Sequence, residues 1–173
     1  MALSLSPRVV SLLRALLQPR SIAVALDPKE DGIGRAIAEN LRAQGPASGV
    51  LVVSRAVRGK SKRKETETLD WSDLKTTPDL AIIATAPGDA ADALDRSGTH
   101  GIRTAVVCTE DPDGRRPDTP LKRALIDAAR RHGCRFVGPG SAGLNLPAAS
   151  LNASWIADRP IAGRLALVAQ SST

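Results

Sequence analysis

Short apolar runs alternate along this chain with stretches whose apolar positions recur every three or four residues. In "MALSLSPRVVSLLRALLQPRS" (1–21) the apolar positions 9, 10, 12, 13, 16 and 17 predict an amphipathic helix packed on the rest of the molecule. "SIAVAL" (21–26) reads as a first strand, "IGRAIAENLRAQG" (33–45) as a helix closing at Gly45, and "GVLVVS" (49–54) as a second strand. Strands three to five are predicted at "DLAIIAT" (79–85), "TAVVC" (104–108) and "RFVG" (135–138). Helices are predicted near 88–97 and over "PLKRALIDAARRHG" (120–133), which ends in basic residues and Gly133 as a helix C-terminus prefers. Uninterrupted apolar strands separated by helices imply a mostly parallel, doubly wound α/β sheet covered on both faces.

Two segments break the rhythm. Residues 55–70, "RAVRGKSKRKETETLD", run from basic to acidic and read as a solvated loop. "GRLALVAQ" (163–170) reads as another buried strand, yet only "SST" follows it. A parallel strand normally leads into a crossover helix, so the chain is expected to be a fragment of a longer protein. The expected division is a helix and lead-in over 1–20, a ligand-binding domain over 21–147, and a connection with the first strand of a following domain over 148–173.

Composition narrows the chemistry. A length of 173 residues suits one compact α/β domain with a short appendage. Aromatic residues make up only 2% of the chain, and tyrosine is absent. Cys108 and Cys134 lie in apolar surroundings and read as buried thiols of a cytoplasmic protein, with no disulfide or metal site expected. Arg8, Arg14 and Arg20 interrupt the N-terminal segment, so neither a signal peptide nor a membrane span is expected. His100 and His132 each precede a glycine at an expected helix end and read as ordinary surface histidines. The net charge of +6 is concentrated in Arg55, Arg58, Lys60, Lys62, Arg63 and Lys64. That run has no interleaved aromatics for base stacking, which argues against nucleic acid.

"DGIGRAIAENLRAQG" after "SIAVAL" raises the possibility of a dehydrogenase. The stretch "GIGRAIA" is similar to the glycine-rich turn of the short-chain dehydrogenases, but the first glycine of that pattern falls on Pro28. The tyrosine that donates a proton in that family is missing, and Ser54 and Arg55 stand where an NAD enzyme carries an acid for the ribose. The turn fits a Rossmann-like fold without hydride transfer.

Five stretches in order carry a broader resemblance: "LLQPRSIAVAL" (16–26), "VLVVSR" (50–55), "PDLAIIATAP" (78–87), "CRFVGPGSAGLNLP" (134–147) and "LNASWIADRPIAGRLALVAQSS" (151–172). Together they resemble the N-terminal CoA-binding domain of the NDP-forming acyl-CoA synthetases, related to the succinyl-CoA synthetase alpha subunit. The same domain opens bacterial protein lysine acetyltransferases in which a synthetase-like region is fused to a GNAT domain. Ser141, in place of the cysteine of the family's "GPNC", tilts the resemblance toward that group.

The resemblance implies a CoA or acetyl-CoA site at the C-terminal ends of the strands. By position it comprises Ala25, Leu26 and Asp27 with Gly32, Ile33, Gly34 and Arg35, then Ser54, Arg55 and Lys60, then Thr85, Ala86 and Pro87, and finally Thr109 and Glu110. Arg55 and its basic neighbours would meet the 3′-phosphate. The site departs from the family: Ala25 replaces a glycine, Gly140 replaces the asparagine of "GPNC", and Asp27, Glu30 and Asp31 place acids where a pyrophosphate should sit. "GPGSAG" (138–143) also reads as no more than a rigid connection out of the fifth strand.

The phosphorylated histidine of the synthetase cycle lies in the family's next domain, so no catalytic residue is expected here. The implied role is a CoA-binding module with a partly degenerate site, regulating a lysine acetyltransferase encoded downstream. The alternatives are the CoA-binding part of an acyl-CoA synthetase with an ATP-grasp domain, or a scaffold that has lost its ligand.

Overall fold

The computed structural model describes residues 6–27, 32–45, 49–53, 70–114, 116–158 and 161–168. Five strands form one parallel sheet in the order β2-β1-β3-β4-β5. They are β1 (Ile22–Leu26), β2 (Val50–Val53), β3 (Leu80–Ala84), β4 (Thr104–Val107) and β5 (Arg135–Val137). The register pairs Ile22 with both Val50 and Leu80, and Leu26 with Ala84. The expected Rossmann-like, doubly wound α/β fold is what the chain adopts.

Alternation along the strands builds a core on each face of the sheet. Ala23, Ala81, Ile83, Ala105 and Val107 face one way, against α3 (Pro87–Thr99), α4 (Pro120–His132) and the indole of Trp71. Ile22, Val24, Leu80, Ile82 and Val106 face the other, against α2 (Ile33–Ala43) and Leu16 of α1 (Pro7–Leu17). With apolar contact demanded on both faces, period-2 patterning disappears and β1, β3 and β4 read as largely apolar runs.

The helices start and stop on local chemistry. Thr119 accepts the Lys122 amide at 3.1 Å and Pro120 opens α4, whose end at Gly133 takes φ 63°. Pro87 opens α3, one residue ahead of the sequence expectation, because its fixed φ suits the first helical position. The N-terminal helix covers the predicted positions, although none of its residues is fully buried. Gly98 of α3 lies so close to α4 that an added Cβ would stand 2.6 Å from the His132 ring.

A hairpin absent from the sequence expectation completes the second face. β6 (Gly143–Leu146) and β7 (Leu151–Ser154) pair antiparallel, and Leu151 and Ala153 join the core beneath α2. Leu151–Ser154 are thus buried against the sheet domain. Of the segment expected to be a strand at 163–170, residues 163–168 pair with no strand among the described residues, and Leu165, Leu167 and Val168 are almost fully exposed. Among the described residues, no helix is long and apolar enough to cross a membrane.

Candidate functional site

The chain leaves β1 toward β2 on one side and returns to β3 on the other, so the sheet's topological switch point lies between the ends of β1 and β3. Loops diverge there and leave a crevice, the usual ligand site of an open α/β sheet. A cleft of about 460 Å³ occupies that place. Its walls are Leu26 and Asp27 after β1, Gly32 to Arg35 at the start of α2, Ala84 to Pro87 after β3, and Cys108 to Glu110 with Pro112 after β4.

Two helices begin at this cleft without a capping side chain. Gly32, extended at φ −123° and ψ −162°, precedes α2, and Ala86 precedes α3. The Gly32 carbonyl accepts the Arg35 and Ala36 amides at 3.0 and 3.3 Å. The amides of Ile33 and Gly34 therefore have no partner within the helix, as the first turn of any helix requires. Each helix start carries roughly half a positive charge. Two of them at one cleft make a place for an anion.

Close approach of α2 to the sheet depends on Gly34. A Cβ there would stand 2.7 Å from the Leu26 Cβ and 3.0 Å from the Ala84 carbonyl oxygen. The glycine lets the helix start sit against the strand ends. Arg35 is exposed at the cleft wall, Asp27 is half-buried there and Glu110 is exposed. Among the described residues, the cleft thus mixes two helix starts and one cation with two carboxylates.

The predicted residues are placed unequally. Leu26, Asp27, Gly32, Ile33, Gly34, Arg35, Thr85, Ala86, Pro87, Thr109 and Glu110 come together around the cleft. Ala25 does not: strand alternation turns its methyl to the opposite face, into a pocket of about 20 Å³ shared with Trp71, Thr85 and Arg96. Ser54, Arg55 and Lys60 lie outside the described residues, as do Pro28, Glu30 and Asp31.

Thr109 is a strut as well as a lining residue. Its buried hydroxyl donates to the Thr85 carbonyl at 2.9 Å, and its own carbonyl accepts the Gly140 amide at 2.8 Å. The ends of β3 and β4 are thereby tied together under the cleft. "GPGSAG" packs tightly against β4: Gly138 has φ 109°, and a Cβ on it would fall 2.2 Å from the Val107 carbonyl oxygen. Ser141 accepts the Gly143 amide at 3.2 Å, which makes it a turn-forming residue.

Ala84, Cys108 and Pro112 also line the cleft and went unnoticed in the sequence. Ala84 and Cys108 are the flanking positions of two strand ends already assigned to the site, which is the signal that could have found them. Burial pushes the Cys108 thiol up to about 12, so it is protonated and unreactive at neutral pH. Cys134 is likewise a free, buried thiol. Neither histidine lines the cleft: His132 contacts Asp95 at 3.0 Å, and the His100 ring lies 3.4 Å from the Thr76 carbonyl. No cluster of metal-ligating side chains occurs among the described residues.

Residues 20–147 match the CoA-binding domain family model. The chain belongs to that family. Among curated proteins it is 26% identical over 170 residues to the acetate–CoA ligase (ADP-forming) I subunit alpha of Pyrococcus furiosus, covering 92% of this chain and 35% of that one. It is 28% identical over 163 residues to acetate–CoA ligase (ADP-forming) I of Archaeoglobus fulgidus, covering 90% of this chain and 22% of the relative. The apo structure of the dinucleotide-forming acetyl-coenzyme A synthetase 1 of Ca. Korarchaeum cryptofilum matches with a TM-score of 0.67 at 28% identity, over 83% of this chain and 31% of that chain. This CoA-binding domain therefore spans about a third or less of the length of these relatives.

Proposed function

We propose that the cleft binds CoA or an acyl-CoA, with the ligand's pyrophosphate at the starts of α2 and α3. The observation that carries this reading is the convergence of two helix starts without capping side chains on one cleft at the switch point. An apolar floor from Leu26, Ile33, Ala84 and Pro87 offers surface for the nucleoside. Membership of the CoA-binding domain family supports the ligand class.

The chain's own residues bind and orient; they carry out no covalent step. Cys108, the thiol nearest to hand, is held protonated, and neither histidine lines the cleft. The reading favoured by the relatives is a domain that presents CoA to the remainder of an ADP-forming acyl-CoA synthetase. Arg55 and Lys60 keep their proposed role toward the 3′-phosphate on charge and chain position alone.

A regulatory module of a protein lysine acetyltransferase is the second reading, and Asp27 is what favours it. One unit charge about 6 Å from a phosphate opposes binding by roughly 2 to 3 kcal/mol at an effective dielectric near 20, before salt screening. A site weakened in that way suits a sensor. Ser141 gives this reading no weight, because its hydroxyl already serves the turn at Gly143.

Calorimetric titration with acetyl-CoA at low salt, with NADP as the competing nucleotide, tests the common core of both readings. Micromolar binding of acetyl-CoA without NADP binding is expected. No heat with either ligand, in a chain shown to be folded, overturns the proposal and favours a scaffold role.

A further inference from the structure

The helix that opens on the cleft also holds the chain where it leaves the domain. Asn40, near the C-terminal end of α2, donates through Nδ2 to the Ser154 carbonyl at 2.9 Å and to the Ile156 carbonyl at 3.0 Å. Buried Asn152 continues the contact: its Nδ2 donates to the Ile156 carbonyl at 3.1 Å, and its Oδ1 accepts the Ser154 hydroxyl at 2.7 Å. The Asn152 amide donates to the carbonyl of Gln44, the C-terminal cap of α2, at 2.9 Å. Beneath these bonds Leu151 and Ala153 share a core with Ile37 and Leu41 of the helix.

Polar side chains in a strand buried at this level are retained only when their donors and acceptors are matched. Here the side-chain matches of Asn152 and Ser154 run within β7 and its exit, and the backbone of the same segment bonds to α2. Lifting the hairpin would uncover Ile37 and Leu41 and strip α2 of the contacts at its far end. The helix start at Gly32 and the exit at Ile156 belong to one structural unit.

We infer that α2 and the β6–β7 hairpin open and close together, so that occupancy of the cleft regulates how firmly the chain is held at Ser154–Ile156. The inference rests on the reading of the cleft as a CoA site. A ligand at the start of α2 binds only the closed unit, and mass action then makes opening rarer by a factor approaching one plus the ratio of free ligand to Kd. Asn40 is the positioning residue of this link.

Hydrogen exchange with CoA as the probe tests it. At a free CoA concentration 100 times Kd, the Asn152 and Ser154 amides should exchange up to about 100-fold more slowly, and those of α4 distinctly less so. Asn40→Leu, which keeps the bulk and removes both donors, should bind CoA within about threefold of the parent while the slowing at β7 falls below about threefold. If that variant fails to fold, Asn40→Asp, which turns acceptors toward the two carbonyls, should show the same uncoupling. Slowing at β7 no greater than at α4, or full slowing in a folded Asn40 variant, overturns the inference with the CoA site intact. Absence of any CoA binding to the parent, read by calorimetry, removes the ligand reading itself.

Discussion

Replacing Gly34 with alanine sets two effects of opposite sign against each other. In a helix interior the exchange by itself gains about 1 kcal/mol of propensity. At this site the new methyl would lie 2.7 Å from the Leu26 Cβ, 3.0 Å from the Ala84 oxygen and 3.3 Å from the Ala84 Cβ. None of those atoms is the end of a flexible side chain, and Leu26 and Ala84 are paired across β1 and β3, so the sheet cannot yield cheaply. Overpacking of that kind costs about 1 to 3 kcal/mol, and relief comes mainly by moving the start of α2 outward. The net expectation is a loss of up to about 2 kcal/mol, which for a chain of this size lowers Tm by up to about 6 °C. Outward movement also withdraws the Ile33 and Gly34 amides from the anion, raising the Kd for CoA by about five- to tenfold. Thermal unfolding and calorimetric titration of the same preparations read both quantities. A Tm equal to or above the parent's, with unchanged CoA affinity, would refute the close-approach account of Gly34.

Three further outcomes follow from the site and its supports. Asp27→Asn removes one charge from the cleft and should tighten CoA binding about tenfold at moderate ionic strength, with the gain shrinking as salt is added; calorimetry at two salt concentrations checks this. Native protein treated with iodoacetamide at pH 8 should leave Cys108 unmodified over a time that fully labels a free cysteine, since a thiol pushed up to about 12 leaves about one thiolate in ten thousand; rapid labelling, read by mass spectrometry, counts against it. Burial raises the Asp95 carboxyl, but hydrogen bonds and charge from Arg131 and His132 outweigh that and hold it below the usual aspartate range. A depressed folded-state value contributes stability above the unfolded value of 3.8 and loses it as pH falls through the folded one. Asp95→Asn should therefore flatten the decline in stability below about pH 4, seen by urea unfolding across that range.

β1, β3 and β4 were legible because both faces of the sheet are covered there, which turns each into a largely apolar run bounded by polar residues. The hairpin was not, and for a specific reason. Asn152 and Ser154 are buried at 2% exposure, yet they are polar, because their side chains bond to each other and to the Ile156 backbone, while Asn40 and the Gln44 carbonyl bond their backbone from another element. A hydrophobicity pattern cannot register burial that is satisfied by hydrogen bonds across the fold. The cleft followed from strand ends and topology, which place loops of known chain position at the switch point. Side-chain direction at those ends was harder: Ala25 and Leu26 are neighbours in sequence and lie on opposite faces of β1.

The two tryptophans give this tyrosine-free chain a pair of optical probes at separate places. Trp71 is 5% exposed against Ala25 and the first turns of α3, whereas Trp155 is 44% exposed immediately after β7. Their emission should differ in wavelength and in quenching by iodide, the first blue-shifted and sheltered, the second red-shifted and accessible. A Trp155→Phe protein leaves one indole beside the ends of β1 and β3, and a Trp71→Phe protein leaves one at the chain exit. Fluorescence of the two single-tryptophan proteins can then time events on the α3 face of the sheet and at the exit separately, without an added label.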